Sequence, residues 1–431
     1  MNIQINRQSE RWYPLIDIPE QVRLKDEVVR FKVVPAGRRS GKTERAKRYV
    51  AKQAMKNANE MYFCAAPTRD QVKKIFWDDM KALTFSSTHT KRPSESDLKI
   101  FMPNGSEIHF IGLDKPQRIE GIGWTGGVID EIADVKESAW QSNILPALNT
   151  VSPLRPDYRA WCWLIGVPDG LNHYYEMYQY ALNSGDPDWA AYHWKSSDIL
   201  PADVIASAKR VMSKTQFMQE FEASFETATG RIYEDYGKGN HTGEAIQPHE
   251  RICWMHDQNY TPLSSAIGVV RDQALYLLDE IVLISAVSRQ SAIEFVERYK
   301  DKHVDIYGDP AGKAGEKHGH ASDYTDIESV LKANGWAYSR KVARAAPAIK
   351  DRQNAVRAKV CNAMGERSLF INPITAKMCD KGMSTVQLQK GSTFQEDQKN
   401  DSQHITTAIG YMIDREWPIN RKTMTATALP F

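Results

Sequence analysis

The sequence predicts an α/β protein made of two domains, and three observations carry that prediction. A chain of 431 residues exceeds what one hydrophobic core usually serves. Short apolar runs of strand character alternate with helix-period segments in both halves, the pattern of sheets covered by helices. Between the halves, "ETATGRIYEDYGKGNHTGEAIQPHE" carries several glycines, mixed charge and little hydrophobic period, as a linker and the entry to a new domain would. The expected division is residues 1–227, residues 228–415 and a C-terminal tail of residues 416–431.

Taken in order, "FKVVP" is an apolar strand that breaks into a glycine loop and then the helix "TERAKRYVAKQAMK". "MYFCAAP" is a second buried strand, followed by one helix over "DQVKKIFWDDMKAL", whose Val72, Phe76, Met80 and Leu83 share a face. "LKIFMPNGSEIHFIGL" has two apolar runs around a Pro-Asn-Gly turn and predicts a hairpin. "GGVIDEIAD" and "RAWCWLIGVPDG" add two further strands, giving a mainly parallel sheet. Two polar helices, "ADVIASAKRVMS" and "KTQFMQEFEASF", close the domain. In the second half "RICWMHDQNY", "SSAIGVVRD" and "ALYLLDEIVLI" read as consecutive strands, two of them a hairpin about "VVRDQAL". Helix "QSAIEFVERYK", strand "VDIYGDP" and helix "TDIESVLKANG" follow, so this domain has a mixed sheet.

Composition narrows the class. With 42% hydrophobic and 26% charged residues the chain is neither disordered nor fibrous. A net charge of +2 argues against a generally basic coat but leaves local tracks such as "RRSGKTERAKR". The five cysteines form no C-x-x-C pair, which argues against structural zinc and a disulfide framework. The polar N-terminus lacks the apolar core of a signal peptide, and no run approaches the roughly 18 apolar residues of a membrane span. The expectation is a cytosolic protein without membrane association.

"AGRRSGKT" has the form of a phosphate loop with alanine first. Gly37 and Gly41, with Arg38, Arg39 and Ser40 between them, bring backbone N–H groups to phosphate oxygens. Lys42 reaches the β/γ-phosphates, and Thr43 holds Mg²⁺ at the helix N-terminus. The strand "GGVID" ends in Asp130, placed to bind Mg²⁺ through water, followed by Glu131, placed to polarise an attacking water. A cation for the developing charge is sought among Arg38, Arg39, Arg69 and Arg118, each equally readable as a surface arginine.

"VVPAGRRSGKT", "CAAPTRDQVKKIFW", "RIEGIGWTGGVIDEIAD" and "LIGVPDGLNHYYEMY" together, in this order and spacing, resemble the phosphate loop, following Pro-Thr strand, metal strand and coupling motif of the large terminase subunit of tailed bacteriophages. The resemblance implies an N-terminal P-loop ATPase domain with a mainly parallel sheet, ATP and Mg²⁺ as its cofactors, and a C-terminal ribonuclease H-like nuclease domain. It also implies double-stranded DNA, a small terminase subunit and a procapsid portal protein as partners. The chain would form a homo-oligomeric ring when docked, be monomeric in solution, and work in the cytoplasm of the infected bacterial host. Base contacts would fall near "RWYPLIDIPEQ", where Trp12 and Tyr13 either stack on adenine or serve as core aromatics.

A two-metal nuclease, holding two Mg²⁺ or Mn²⁺ ions, needs carboxylates from distant parts of the chain. Asp257 and Asp309 each end an apolar strand. In "KNDSQHITTAIGYMI", His404, Ala408 and Tyr411 match the family's closing motif, but Thr407 stands where its aspartate is usual and Gln403 replaces the residue before the histidine. Asp401, one turn before His404, is the expected third ligand, and His404 an auxiliary ligand or proton carrier. Glu280 is a weaker metal candidate, readable also as a surface residue of its strand. Lys313, Lys317, His318 and His320 form either a solvated loop or a DNA-phosphate clamp.

The implied function is a DNA-packaging motor that hydrolyses ATP to move duplex DNA into a procapsid and cuts concatemeric DNA. The alternative is a helicase or repair ATPase whose second domain binds DNA without cutting it, which loss of the third carboxylate would favour. A nucleotide-switched scaffold is disfavoured by Lys42 and Glu131 together, because a switch needs no water-polarising residue. The tail "REWPINRKTMTATALPF" reads as a portal-docking element or a disordered end.

Overall fold

A computed structural model describes residues 11–84, 91–149, 158–225, 230–258, 262–300, 303–314, 321–389, 392 and 394–419. These fold as two compact units, the first built on residues 11–205 and 218–225, the second on residues 206–217 and 230–419. The pair of polar helices expected to close the first domain, Ala202–Val211 and Lys214–Glu220, is divided between them. Residues 206–217 belong to the second unit because their backbone groups pair there: Ser213 bridges Asn362, whose Nδ2 donates to the carbonyl of Arg210 at 2.9 Å. The expected boundary near residue 228 and the tail beyond residue 419 lie outside the described residues.

In the first unit the strands are β1 (Phe31–Pro35), β2 (Met61–Ala66), β3 (Lys99–Phe101), β4 (Glu107–Gly112), β5 (Gly126–Ile129), β6 (Trp161–Gly166) and β7 (Trp189–Ala191). They form one sheet in the order β3-β4-β2-β5-β6-β1-β7, parallel throughout except for the β3/β4 hairpin. The strands are almost wholly buried, so they read as continuous apolar runs rather than alternating ones. β1 divides its side chains between two cores: Val34 packs with Val50 and Trp163, while Val33 packs with Ile129 and Leu164 on the other face.

Two local features were not legible in advance. β7 is a short, half-buried edge strand of three residues, not named from the sequence. The helix expected over residues 70–83 is α-helical only at its ends, Arg69–Val72 and Asp78–Leu83, with a π-turn at Lys73–Trp77 between them. The wider turn allows Phe76 and its neighbour Trp77 to be buried together, which regular α-helical spacing opposes.

The second unit contains β8 (Ile252–Asp257), β9 (Leu263–Arg271), β10 (Ala274–Leu283), β11 (His303–Gly308), β12 (Ala337–Arg340) and β13 (Leu369–Ile371), in the order β12-β11-β8-β9-β10-β13. β8, β9 and β10 form an antiparallel meander whose tight turn places Asp272 and Gln273 at φ 46° and 65°. β11 joins β8 in parallel, and β12 joins β11 in parallel. This is the ribonuclease H-like strand arrangement. The helix Gln403–Glu416 covers one face, burying Ile405, Ala408, Ile409 and Met412 in a core shared with Met255 and Ala266.

Candidate active sites

The first site is built where β1 ends. Residues 36–41 turn back into the helix Lys42–Lys56, and the loop is held closed from several sides. The Arg38 N–H donates to the Glu220 carbonyl at 2.7 Å, and Ser196 Oγ donates to the Arg38 carbonyl at 2.7 Å. The indole N–H of Trp194 reaches Ser40 Oγ at 2.9 Å. Gly37 is required for space, since a Cβ there would sit 2.3 Å from Ser196 Oγ and 2.6 Å from the Phe221 carbonyl. Gly41 is required for conformation, at φ 81°.

Lys42 Nζ lies 3.3 Å from the carbonyls of both Ala36 and Gly37, folded onto the loop it would leave for a phosphate. Burial pushes its pKa down, against the pull of Asp130. Thr43 Oγ1 donates to Asp130 Oδ2 at 2.7 Å. That contact joins the loop after β1 to the end of β5, although β6 runs between the two strands. Burial raises the Asp130 pKa, partly offset by Lys42 and the Thr43 hydrogen bond. Glu131 follows in the left-handed region at φ 54°, and its pKa is raised by burial and then by Asp130 and Asp134. Thr43 hydroxyl and Asp130 carboxylate are adjacent oxygen donors, a set that fits a hard cation such as Mg²⁺.

An N-terminal segment braces the phosphate-loop helix. Arg11 makes a two-pronged contact with Glu44 at 2.6 and 2.7 Å, and Arg45 Nε donates to Asp17 Oδ1 at 2.7 Å. Trp12 donates to the Leu83 carbonyl at 3.0 Å and packs against the core, while the Arg48 guanidinium lies 4.5 Å from the Tyr13 ring. Both rings are thus engaged within the domain. Gln21, fully buried, was missed by sequence reasoning; its amide donates to the Ser40 carbonyl at 3.0 Å. A polar residue on a short helix gives no local sign of such a role.

Of the candidate arginines, Arg38 pairs with Glu220 at 2.9 Å, and Arg39 stands exposed at φ 57°. Arg69 and Arg118 line one cavity of about 520 Å³ together with Lys99 and His109. Arg69 donates to the Ser96 carbonyl, and Arg118 lies 3.6 Å from Asp114.

In the second unit, Asp257 ends β8 and Asp309 follows β11. The parallel register pairs His256 with Gly308, so the two aspartates leave neighbouring strand ends side by side. His404 Nδ1 is 2.9 Å from Asp257 Oδ2, and that hydrogen bond raises the histidine pKa. Asp309 accepts from the Ala311 N–H at 2.8 Å. Asp401 is exposed in the turn before the helix Gln403–Glu416. Among the described residues no three His, Cys, Asp or Glu side chains gather closely enough to hold one ion. The Asp257 and Asp309 carboxylates suit Mg²⁺ or Mn²⁺ in kind, and the Asp401 carboxylate lies close enough to His404 to add to the rise of its pKa.

Three other expectations meet specific outcomes. Glu280 is half-buried, and its carboxylate accepts from the N–H groups of Met378 and Cys379 at 2.8 and 2.9 Å, capping a helix N-terminus. Lys313 donates to the carbonyls of Val342 and Ala343, so it is tied into the domain; Lys317, His318 and His320 lie outside the described residues. Thr407 Oγ1 donates to buried Glu396 at 3.2 Å, and Arg352 contacts both. Sequence reasoning did not single out Glu396, which lies eleven residues before Thr407 and away from any motif.

The fold and residues define a protein with an α/β domain carrying a phosphate-loop motif, followed by a domain of ribonuclease H-like strand arrangement. Residues 34–235 match the family described as terminase large subunit, T4likevirus-type, N-terminal. The chain is 28% identical over 172 residues to the large terminase subunit of Escherichia phage T5, covering 39% of this chain and 38% of that protein. It is 22% identical over 263 residues to that of Thermus phage G20c, covering 53% of each. It spans about half the length, or less, of these curated relatives. The large terminase of a thermophilic bacteriophage, solved in complex with ATP-gamma-S, has a similar fold over 92% of this chain and 98% of that one, with a TM-score of 0.60 and 15% identity. In sequence over part of its length, and in fold over most of it, the chain is thus similar to the large terminase subunits of bacteriophages.

Proposed function

We propose that this protein is the motor and nuclease subunit of a viral DNA-packaging machine: it hydrolyses ATP to translocate duplex DNA into a procapsid and cuts concatemeric DNA with a metal-dependent endonuclease. The observation that carries the reading is the Thr43–Asp130 hydrogen bond, which brings the phosphate loop and the β5 carboxylate to one point with Glu131 beside them. In this reading Gly37 to Gly41 and Lys42 cradle the phosphates, Thr43 and Asp130 hold Mg²⁺, and Glu131 accepts a proton from the attacking water. The ion would neutralise charge on the transferred phosphoryl group.

Asp257, Asp309, Asp401 and His404 would hold the two ions of the nuclease, which lower the pKa of water and stabilise the leaving oxygen. Side-by-side strand ends for Asp257 and Asp309 support this assignment, while Asp401 rests on its proximity to His404 in sequence. The partners are double-stranded DNA, a small terminase subunit and a portal protein, with a ring of copies when docked, in the host cytoplasm. Among the described residues no helix is long and apolar enough to cross a membrane.

The test pairs two assays on the full chain. Purified protein should nick and linearise circular plasmid with Mn²⁺ and not with EDTA, and should hydrolyse ATP in a Lys42-dependent manner. Lys42→Ala should lose roughly 10²- to 10³-fold in ATP turnover while cutting DNA as before. Hydrolysis at the unmodified rate in that variant would remove residues 36–43 from the site.

A further inference from the structure

Glu131 is placed by its backbone at one end only. Its left-handed conformation and the hydrogen bond from its N–H to Asp130 Oδ1, 2.9 Å, direct the Cα–Cβ bond but leave the carboxylate free to swing. The far end is held by another residue: Gln71 Nε2 donates to Glu131 Oε2 at 3.0 Å. We infer that Gln71 is the positioning residue for Glu131, itself locked in orientation by Thr68. This rests on the proposed role of Glu131 and assigns the side chain that holds it.

The lock follows from donor and acceptor chemistry. Thr68 caps the short helix Arg69–Val72, and its Oγ1 accepts from the Gln71 backbone N–H at 3.3 Å. The hydroxyl proton is then available to the Gln71 amide oxygen, 2.8 Å away. With Oε1 facing a hydroxyl donor, Nε2 faces the Glu131 carboxylate; a flipped amide would set its own oxygen against the ionised carboxylate, two acceptors with no donor between them. The platform beneath is stiff. A Cβ at Gly112 would lie 2.3 Å from the Arg69 N and 2.7 Å from its Cα, so the end of β4 sits directly against the backbone that carries Thr68 and Gln71. Among the described residues Gln71 supplies the hydrogen bond that the Glu131 side chain receives from another side chain. A carboxylate held at both ends keeps a water in line for attack, and a misplacement of about 1 Å can cost roughly a hundredfold in rate.

The experiment uses the full chain and steady-state ATP hydrolysis, with binding of a fluorescent ATP analogue measured separately. Gln71→Leu, close in size and lacking the donor, should lower kcat by roughly ten- to a hundredfold while KM and analogue affinity stay unchanged. Thr68→Ala should move kcat the same way by less, and Thr68→Ser, which keeps the hydroxyl, should restore it. In a Glu131→Gln background, Gln71→Leu should cost nothing further, because residues acting as one unit are not additive. The proposal is overturned by an unchanged or raised kcat in Gln71→Leu, by a raised KM with kcat intact, or by a further loss in the Glu131→Gln background. Glu131→Gln alone hydrolysing at the unmodified rate would instead overturn the role of Glu131, so the two failures are distinguishable.

Discussion

Replacing Gly37 by alanine tests the closed phosphate loop with a single methyl group. The backbone of Gly37 is not in the left-handed region, so the cost comes from space alone. The added Cβ would lie 2.3 Å from Ser196 Oγ, 2.5 Å from Ser196 N and 2.6 Å from the Phe221 carbonyl. Two of these three are backbone atoms and cannot rotate away, and the Ser196 N–H itself donates to the Phe221 carbonyl at 2.7 Å. Separating them by about an ångström strains the packing, worth about 1–3 kcal/mol. It also endangers the Ser196–Phe221 or Ser196–Arg38 hydrogen bond, at about 1 kcal/mol each. For a domain of this size the sum corresponds to a fall of roughly 5–15 °C in the melting transition of the first unit. Differential scanning calorimetry reads this directly, and Gly237→Ala, where a Cβ meets nothing within 4 Å, is the matched control. ATP affinity should fall with stability, because the loop that receives the phosphates is the part displaced. A Gly37→Ala protein that melts with the control and binds ATP normally would refute the claim that Ser196 and Phe221 close the loop.

The remaining predictions concern the second unit. Asp257→Ala should abolish plasmid cleavage and leave ATP turnover intact; if Asp401 is the third ligand, Asp401→Ala should be equally inactive, and normal cutting by that variant would exclude it. His404 is held protonated above its ordinary pKa by the hydrogen bond to Asp257. Because the folded value is the raised one, the stabilisation is fully present below the unfolded value of about 6.5 and is lost as pH rises through the folded value. In EDTA, the urea midpoint of the unmodified protein should therefore exceed that of His404→Asn at pH 5.5 and converge on it at pH 9; an equal difference at both would refute the pairing. The Arg352–Glu396 pair, 3.2 Å apart and buried, should make Glu396→Leu costly by about 3–5 kcal/mol in chemical denaturation, with much of the loss recovered by adding Arg352→Met. A single variant as stable as the parent would show that the pair does not hold the helix Gln403–Glu416 in place.

What the sequence determined by itself was chemistry written within a few residues. A phosphate loop needs glycines, a lysine and a threonine in succession, and a strand-end carboxylate needs only an apolar run before it, so Gly37 to Thr43, Asp130 and Glu131 could be proposed from local pattern, and Thr43 and Asp130 do meet. Most strands of both sheets were legible as apolar runs, whereas the short strands β7, β12 and β13 were not named in advance. Tertiary structure decided the long-range pairings. That Thr43 meets Asp130 across an intervening strand depends on strand order. That Gln21, Gln71 and Ser196 brace the proposed nucleotide site depends on neighbours 19 to 158 residues away in the chain. Glu280 could not be assigned from its strand, because the N-terminus it caps belongs to a helix about a hundred residues later. A hydrogen bond is satisfied by distance and direction in space, and neither leaves a mark on the sequence between its partners.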